Sequence, residues 1–229
     1  MGISITATYD VYTLKVEHGI FKNFCYIIID KVTRMTAIVD PAWDLDKIEQ
    51  RLLQINASVA AVLLTHTHFD HVNLVPELEK RYRPRVYLSR EEAESSGYYF
   101  GNQVLLEDNQ SFYLGQTLIS CLLTPGHSEG SMCYLLEDCL FTGDTVFIEG
   151  CGFAEAQTGA AGRLYNSIQK IKQNVGQTVL IYPGHSFGKA PGYPLSYLLE
   201  NNIYFLLETK EHFVQFRTRK GQKGIFRFQ

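Results

Sequence analysis

The segment THTHFDH, residues 65–71, decides the interpretation of this chain, because it places four potential metal ligands within six residues. It follows a short apolar run that predicts a strand buried on both faces. His66 and His68 are two residues apart, so in an extended segment their side chains point the same way. Asp70 and His71 would then begin a helix and turn back toward the same pocket. Imidazole and carboxylate ligands together suit zinc, iron or manganese, so the segment predicts a metal site.

Three more candidate ligands each follow a glycine at the end of a predicted strand. His127 lies in TPGHSEGS, Asp144 in FTGDTVF and His185 in YPGH. Glycine lets the backbone bend sharply at such a point, so each side chain can turn toward a common centre. Five of the seven histidines of the chain fall in these motifs and in THTHFDH. The predicted ligands of the site are therefore His66, His68, Asp70, His71, His127, Asp144 and His185.

The hydrophobic patterning predicts strands and helices that alternate in two similar halves. Predicted strands are 12–17, 23–30, 35–40, 59–65, 85–89, 111–123, 131–137, 139–142 and 178–182. Predicted helices are 45–56, with Asp44 as its cap, 70–82, 157–175 and 195–208. Pro191, Gly192 and Pro194 mark the predicted boundary between a main domain, 1–190, and a short helical and basic extension, 191–229, packed on the same domain.

The composition is that of an ordinary globular protein, with 229 residues, 45% of them hydrophobic and 20% charged. Its five cysteines are odd in number and include no CxxC pair, which indicates a reducing compartment. The first residues have neither the basic nor the apolar segment of a secretory signal. No apolar run reaches the roughly 18 residues needed to cross a bilayer. These features predict a cytoplasmic protein without a membrane partner.

Charge is unevenly distributed along the chain, whose formal net charge is −3. Residues 209–229 contain six basic residues and one acidic residue, so this segment carries +5 and the remainder carries −8. An acidic body with a short basic tail is not typical of a nucleic-acid-binding protein, and no nucleic acid is predicted as a partner. The tail is suited to a specific anionic partner.

The four motifs, in this order and at about this spacing, resemble those of the metallo-β-lactamase superfamily. The resemblance covers roughly residues 10–190 and implies an α/β fold, the four-layer αβ/βα sandwich in which helices flank two mixed sheets. It implies that 1–190 form the catalytic domain, with the metals at one edge of the sheets. The implied ligands of one metal are His66, His68 and His127, those of the second are Asp70, His71 and His185, and Asp144 would bridge the two.

The resemblance also implies hydrolysis by a water molecule activated between two divalent cations, with zinc as first choice and iron or manganese as alternatives. Asp70 would orient the water and accept its proton, which makes it the predicted catalytic residue. The complete ligand set argues against a binding protein that has lost its activity. Phosphodiester and lactone hydrolysis use similar ligands and stay open at this point.

The motif GDTVF, followed by Gly150-Cys151-Gly152, resembles the glyoxalase II branch, whose members cleave thioesters. Members that use glutathione usually carry Arg or Lys at the position of Phe153, and a neutral aromatic ring cannot pair with the glycine carboxylate of glutathione. The sequence therefore favours a different thioester. Hydroxyacylglutathione hydrolysis is the first alternative and mono-iron persulfide oxidation the second. Cys151 is interpreted as a small packing residue and not as a catalytic thiol.

The C-terminal stretch, from YPGHSFGK at 182–189 to RTRKGQKG at 217–224, resembles small hydrolases of bacterial polyketide assembly lines. Those proteins act in trans and remove acyl groups from acyl carrier proteins, which are acidic and present the thioester on a phosphopantetheine arm. The +5 tail fits such a partner through charge steering. An acyl carrier protein is therefore the predicted partner, and the predicted substrate-binding residues are Phe153, Arg217 and Lys220.

Overall fold

The chain folds around two six-stranded sheets in the computed structural model, which describes residues 7–154 and 159–219. The first sheet contains, in spatial order, β1 (Tyr9–His18), β2 (Phe21–Asp30), β3 (Met35–Val39), β4 (Ser58–Leu63), β5 (Arg85–Ser89) and β6 (Gln103–Leu106). Strands β1 to β3 pair antiparallel, whereas β3 to β6 pair parallel. The parallel strands therefore end at the same edge of the sheet, and THTHFDH follows β4 there.

The second sheet contains, in spatial order, β7 (Ser111–Leu114), β8 (Thr117–Leu123), β9 (Met132–Leu135), β10 (Cys139–Gly143), β11 (Leu180–Pro183) and β12 (Tyr193–Pro194). Strands β10 and β11 pair parallel, and the other neighbours pair antiparallel. The two parallel strands end side by side, so the motifs FTGD and YPGH emerge at one edge of this sheet.

Helices cover the outer face of each sheet. Those beside the first sheet are α1 (Leu45–Gln54), α2 (Phe69–Val72), α3 (Val75–Tyr82) and α4 (Arg90–Ser96), and those beside the second are α5 (Ala160–Asn174), α6 (Leu195–Asn201), α7 (Ile203–Leu206) and α8 (Lys210–Arg217). Tyr26 and Phe141 meet in the apolar cluster between the sheets. Ile48 of α1 and Ile168 of α5 lie in two further clusters on the outer faces. The predicted four-layer αβ/βα sandwich is confirmed.

Two predicted helices are broken in the structure. The segment 70–82 is not one helix, because α2 ends at Val72 and α3 begins at Val75, with a proline in its first turn. Proline is tolerated there because the N–H that it lacks would have no partner within the helix. The segment 195–208 is interrupted at Asn202, whose side-chain oxygen accepts a hydrogen bond from the backbone N–H of Tyr204 at 3.0 Å and caps α7.

Two further differences concern short elements. The predicted strand 111–123 is a hairpin, β7 and β8, with Gly115 at a φ of 63° in the turn. The pattern did not predict α4 or β6. Helix α4 is only seven residues long and begins because the hydroxyl of Ser89 accepts a hydrogen bond from the N–H of Glu92 at 3.0 Å. So short a helix has little apolar periodicity to detect.

The described part of the C-terminal extension continues the same fold. Strand β12 extends the second sheet beside β11, and Leu198, Tyr204 and Phe213 pack in one cluster with α5. The division of the chain at residue 190 stays a prediction. Lys220 and the predicted helix start at Gln157 lie outside the described residues. Within 7–154 and 159–219, no helix is long and apolar enough to cross a membrane.

Candidate metal centre

Four loops at one edge of the sandwich carry the predicted metal ligands. The segment after β4 carries His66, His68, Asp70 and His71. The loop between β8 and β9 carries His127. Asp144 follows β10, and His185 follows β11. The structure brings all seven side chains together, as two groups of three with Asp144 between them. Their roles as ligands stay a prediction that the geometry supports.

The first group of donor atoms consists of three histidine nitrogens. Nε2 of His127 lies 3.3 Å from Nε2 of His66 and 2.9 Å from Nδ1 of His68. In a tetrahedral zinc site with Zn–N distances of about 2.0–2.1 Å, two ligand nitrogens lie roughly 3.3 Å apart. The three nitrogens are therefore spaced to hold one small divalent cation.

The second group combines two histidine nitrogens with a carboxylate oxygen. Nε2 of His71 and Nε2 of His185 lie 3.3 Å apart, and Oδ2 of Asp70 lies 3.3 Å from the latter nitrogen and 3.8 Å from the former. Mixed nitrogen and oxygen donors suit zinc as well as iron and manganese. This group has the spacing of a second cation site.

Asp144 lies between the two groups. Its Oδ1 is 3.6 Å from Nε2 of His71, and its Oδ2 is 3.6 Å from Nε2 of His127 and 3.4 Å from Nε2 of His185. Oδ1 is buried and accepts no hydrogen bond from any described residue. A buried carboxylate oxygen without a donor is costly, and a cation on each side would satisfy it. The donor set thus fits two bridged divalent cations.

Hydrogen bonds at the far side of two rings direct their Nε2 atoms toward the first group. The hydroxyl of Thr65 donates to Oδ2 of Asp40 at 2.6 Å, so its oxygen is left to accept from Nδ1 of His66 at 3.0 Å. Nδ1 of His127 donates to the carbonyl oxygen of Phe153 at 2.9 Å. A neutral imidazole that donates through Nδ1 has a lone pair on Nε2, which is the form that binds a metal.

Histidines of the two groups differ in the direction of their pKa shifts: the pKa is lowered for His66 and His127 of the first group and raised for His71 of the second. Burial lowers the pKa of His66 well below its usual value and that of His127 to about 4, so both rings are neutral at pH 7. Burial also acts on His71, but the carboxylates of Asp144 and Asp40 outweigh it and raise its pKa to about 9. Without a metal, the ring of His71 is therefore protonated on both nitrogens and positively charged at pH 7. A cation in the second group would displace the proton on Nε2.

Asn23 positions the predicted catalytic carboxylate. Its buried side-chain amide donates to Oδ2 of Asp70 at 3.0 Å and to the backbone oxygen of the same residue at 2.9 Å. Burial raises the pKa of Asp70, but contacts with His185 and His71 outweigh it and hold the pKa well below its usual range. Asp70 is therefore a charged, oriented carboxylate at the edge of the second group.

Glu92, from the unpredicted helix α4, connects the two loops that carry the first group. Its Oε1 accepts hydrogen bonds from the N–H and the hydroxyl of Thr67 at 2.8 and 2.7 Å. Its Oε2 accepts from the hydroxyl of Ser128 at 2.6 Å and the N–H of Gly130 at 3.0 Å. Glu92 is 2% exposed, and its four hydrogen bonds hold the segment of His66 and His68 against that of His127.

Sequence reasoning missed Asp40, Asn23 and Glu92. Asp40 is grouped with His66 and His71, but its oxygens already accept hydrogen bonds from Thr65 and His71, so it supports a ligand. It directly follows β3, and its position at the end of a strand parallel to β4 was a usable signal. Asn23 and Glu92 become recognisable only through tertiary contacts.

Two glycines are required by the close approach of the loops. Gly143 has a φ of 48°, and an added Cβ there would lie 2.1 Å from the hydroxyl of Thr65. A Cβ on Gly184 would lie 2.5 Å from Oδ1 of Asp144 and 2.6 Å from Cε1 of His71. Any side chain at Gly184 would therefore occupy the space between these two ligands.

A cavity of about 350 Å³ opens above the metal centre. Phe153, one of the predicted substrate-binding residues, lines it with 44% of its surface exposed. The residues that line the floor of this cavity are His68, Asp70, His127, Asp144 and His185. Cys151 does not offer a thiolate here, because it is buried and burial raises its pKa to about 12.

Arg217, a predicted substrate-binding residue, is buried and does not line the cavity above the metal centre. It is 2% exposed, its Nε donates to the carbonyl oxygen of Gly152 at 2.9 Å, and its guanidinium lies 5.3 Å from the ring centre of Phe153. Asn202 donates to the carbonyl oxygens of Phe147 and Gly150 at 3.0 and 2.9 Å. Both side chains hold the loop that presents Phe153 to the cavity.

Residues 19–185 match the family model of the metallo-beta-lactamase superfamily, and this chain belongs to that superfamily. Two relatives match over nearly their full length. This chain is 48% identical over 222 residues to the probable polyketide biosynthesis zinc-dependent hydrolase PksB of Bacillus subtilis, covering 97% of this chain and 99% of the relative. It is 47% identical, with the same coverage, to the probable polyketide biosynthesis zinc-dependent hydrolase BaeB of Bacillus velezensis.

More distant matches agree with the fold. The hydroxyacylglutathione hydrolase of Bartonella henselae is 35% identical over 170 residues, which cover 73% of this chain and 64% of that protein. A crystal structure of a metallo-beta-lactamase from Staphylococcus aureus superposes with a TM-score of 0.84 at 22% identity, covering 93% of this chain and 69% of the other. This likeness confirms the sandwich of two mixed sheets flanked by helices.

Proposed function

We propose that this protein is a zinc-dependent hydrolase that cleaves acyl thioesters held by an acyl carrier protein in polyketide biosynthesis. The observation that carries the proposal is the pair of donor groups bridged by Asp144, whose buried Oδ1 accepts no hydrogen bond from the described residues. The two near-full-length relatives, both named as zinc-dependent hydrolases of polyketide biosynthesis, support the hydrolase class, the metal and the pathway.

Two zinc ions in these groups would supply an activated water molecule and a Lewis acid for the acyl oxygen. Asp70 lines the floor of the cavity, where Asn23 holds its carboxylate, and there it would orient that water and accept its proton. A thiol has a pKa of about 8.5, so the leaving thiolate needs little protonation. A thioester is therefore a suitable substrate for a site that has no separate general acid among its described lining residues.

The partner is inferred from charge. Carrier proteins are acidic, and residues 209–229 carry +5. Burial of Arg217 removes one of these cations from the surface, so docking depends on the others. Arg219 is exposed at the end of α8, and Lys220 and Lys223 continue the basic segment beyond the described residues. Exposed charges of this kind affect the rate of encounter more than the chemical step.

A second candidate is hydroxyacylglutathione hydrolysis, which the Bartonella henselae match favours. The side chain that faces the cavity at position 153 is an aromatic ring, which offers no charge to the glycine carboxylate of glutathione. The other alternative, persulfide oxidation, needs only a single iron. The second donor group, Asp70, His71 and His185, has the spacing to hold a second cation and therefore does not favour this alternative.

The test is hydrolysis of matched thioesters by zinc-loaded protein. One acyl group is presented on a carrier protein, on pantetheine and on glutathione, and release is followed by mass spectrometry. We expect the carrier-bound substrate to have the highest kcat/KM. The triple variant Arg219→Glu, Lys220→Glu, Lys223→Glu should lower kcat/KM on the carrier by about tenfold or more and leave pantetheine hydrolysis unchanged.

The outcomes separate the candidates. Preference for the glutathione thioester would establish the second candidate instead of the first. Lack of release from every thioester, with zinc bound, would refute thioester hydrolysis altogether. Equal effects of the triple variant on both substrates would remove the docking argument and leave the hydrolase class intact.

A further inference from the structure

We infer that Trp43 is a positioning residue for the reaction, an inference that rests on the proposed function. Its indole N–H fixes the side-chain amide of Asn23, and that amide in turn holds the carboxylate of Asp70, the residue predicted to orient the attacking water. Trp43 lies just before helix α1. It belongs neither to the predicted ligands nor to the residues that line the cavity above the metal centre.

Two hydrogen bonds through one amide group connect the indole to the carboxylate. Nε1 of Trp43 donates to Oδ1 of Asn23 at 2.8 Å, and Nδ2 of Asn23 donates to Oδ2 of Asp70 at 3.0 Å. An indole can only donate, whereas an amide has one accepting end and one donating end. The contact with Trp43 therefore requires the amide oxygen to face the indole, which leaves the NH₂ group to face Asp70.

The orientation of this amide matters because of the groups around its nitrogen. Nδ2 of Asn23 lies 2.9 Å from the backbone oxygen of Asp70 and 3.5 Å from Nε2 of both His71 and His185. A flipped amide would place Oδ1 against the carboxylate and the carbonyl of Asp70, which are acceptors too. Asn23 is 1% exposed, so bulk water cannot replace the lost donor. The indole N–H thus disfavours a state in which Asp70 is not held.

The backbone at Trp43 is strained. Its φ is 65°, and the N–H of Asp44 donates to the carbonyl oxygen of Ala42 at 2.8 Å, which closes a three-residue turn around Trp43. Turns with a positive central φ are rare, and a residue other than glycine in this region costs about 1–3 kcal/mol. Glycine adopts such a conformation readily. Tryptophan at this position is therefore explained by what its side chain does.

A second contact joins Trp43 to the helix that carries Asp70. Oδ1 of Asn73 accepts a hydrogen bond from the backbone N–H of Trp43 at 2.9 Å, and Nδ2 of Asn73 donates to the carbonyl oxygen of Phe69 at 2.9 Å. Phe69 begins the short helix α2, and Asn73 follows its last residue. Backbone and side chain of Trp43 are thus both tied to this segment, so the indole has a defined position relative to Asp70.

Aromatic contacts also hold the indole, but they do not need its N–H. The ring centre of Trp43 lies 5.1 Å from that of His18, at an interplanar angle of 14°, and 5.6 Å from that of Phe69. Phenylalanine at position 43 would keep an aromatic ring beside these residues and would lose the hydrogen bond to Asn23. A role in packing and a role in positioning therefore predict different results for this substitution.

The experiment uses the fact that Trp43 is the single tryptophan of the chain. Replacement of tryptophan by benzothienylalanine, in which sulfur takes the place of the N–H, changes this position alone and keeps the bicyclic shape. Trp43→Phe is the genetic counterpart. With two zinc ions bound, as checked by native mass spectrometry, we expect each change to lower kcat on a pantetheine thioester about three- to tenfold, the effect of one hydrogen bond. KM should not change.

A double-mutant cycle tests whether Trp43 acts through Asn23. In the background of Asn23→Ala, Trp43→Phe should lower kcat no further, because the group that transmits its effect is gone. His18→Ala is the matched control, since it removes the stacking partner of the indole and leaves the N–H bond in place. If Trp43→Phe lowers kcat by the same factor with and without Asn23, or if His18→Ala has as large an effect, Trp43 acts by packing and the inference is wrong.

Two readouts do not depend on turnover. The indole N–H gives one cross-peak in the ¹H–¹⁵N spectrum of the metal-free protein, and its exchange with solvent should become about threefold or more faster in Asn23→Ala, where the acceptor is lost. Competition with a chelator should show that Trp43→Phe lowers the affinity of the second zinc site about three- to tenfold, because Asp70 belongs to that group, and leaves the first unchanged.

These readouts separate the inference from the proposed function. If both changes are found but no thioester is hydrolysed, the proposed function fails while the positioning of Asp70 by Trp43 is established. If Asn23→Ala does not alter the exchange of the indole N–H, or if Trp43→Phe leaves the affinity of the second zinc site unchanged, the inference is overturned whether or not thioesters are cleaved.

Discussion

Nδ1 of His71 lies 3.0 Å from Oδ2 of Asp40, and both side chains are almost fully buried. Asp40 also accepts hydrogen bonds from the N–H and the hydroxyl of Thr65, at 2.8 and 2.6 Å. One carboxylate at the end of β3 thus orients a ligand of the second group and, through Thr65, the Nδ1 of His66 in the first. Carboxylates in this position raise the basicity of the histidine that binds the metal.

Zinc affinity is predicted to increase with pH between about 6.5 and 9. The pKa of His71 is raised to about 9 in the folded, metal-free chain, so zinc must displace a proton below that pH. In the metal-free protein the raised pKa stabilises the fold fully below about pH 6.5, and this stabilisation is lost as the pH rises through 9. Calorimetric titration in buffers of different ionisation enthalpy should show about one proton released per chain at pH 7.5. A zinc affinity that does not change between pH 7 and 9 would contradict this assignment.

Asp40→Asn is predicted to weaken zinc binding about 10- to 100-fold, which is the usual effect of removing a partner of a ligand histidine. The amide of asparagine has the same size as the carboxylate, but its NH₂ group cannot accept the hydrogen bonds that Asp40 now accepts from Thr65 or His71. The loss should be largest for the second zinc ion, because His71 belongs to that group. Competition with a chromophoric chelator measures both affinities. Asp46→Asn, at an exposed residue of α1, is the control and should change neither.

Glu92→Gln is predicted to destabilise the metal-free protein by about 2 kcal/mol, because in either orientation of the new amide its NH₂ group would face a backbone N–H, of Thr67 or of Gly130, that now has no acceptor. That corresponds to a decrease in Tm of roughly 4–8 °C for a chain of this size. Since Glu92 joins the loops of the first group, the variant should also weaken the first zinc site more than the second. Glu91→Gln, on the same helix, should have no such effect. An unchanged Tm and unchanged affinity of the first site would show that the loops do not depend on Glu92.

Asn202→Asp is predicted to raise the KM of the thioester while zinc content stays at the level of the unmodified protein. The substitution replaces an NH₂ donor by an oxygen that faces the carbonyl oxygens of Phe147 and Gly150. The loop up to Phe153 would then shift, while the ligand residues keep their own hydrogen bonds. We expect a KM increase of about tenfold from steady-state kinetics on a pantetheine thioester. Loss of zinc together with activity would instead place Asn202 in the support of the metal site.

The convergence of the seven side chains could be predicted from the sequence because they are concentrated in short motifs at strand ends. Residues 65–71 carry four of them, and glycine precedes each of the other three. Strands β4, β10 and β11 then bring three of these motifs to neighbouring edges, and β8 brings the motif of His127 to the same place. The layers of the fold could be predicted for the same reason, because apolar runs such as 59–65 are buried on both faces.

The supporting residues could not be predicted in this way, because their effect depends on contacts between distant segments. Asn23 is 47 residues from Asp70, and Glu92 is 36 residues from Ser128. Arg217 looked like a surface cation in a basic tail, but it is buried because the carbonyl of Gly152 and the ring of Phe153 receive its guanidinium. Sequence charge alone does not indicate which cations reach the surface.

The most direct test of the account is the zinc content of the purified protein, measured by mass spectrometry of the native protein after reconstitution. The account predicts two zinc ions per chain, one after His68→Ala or after His185→Ala, and none when both substitutions are combined. A protein that stays folded and binds no zinc, or that keeps two zinc ions in both single variants, would contradict the claim that these groups form a dinuclear centre.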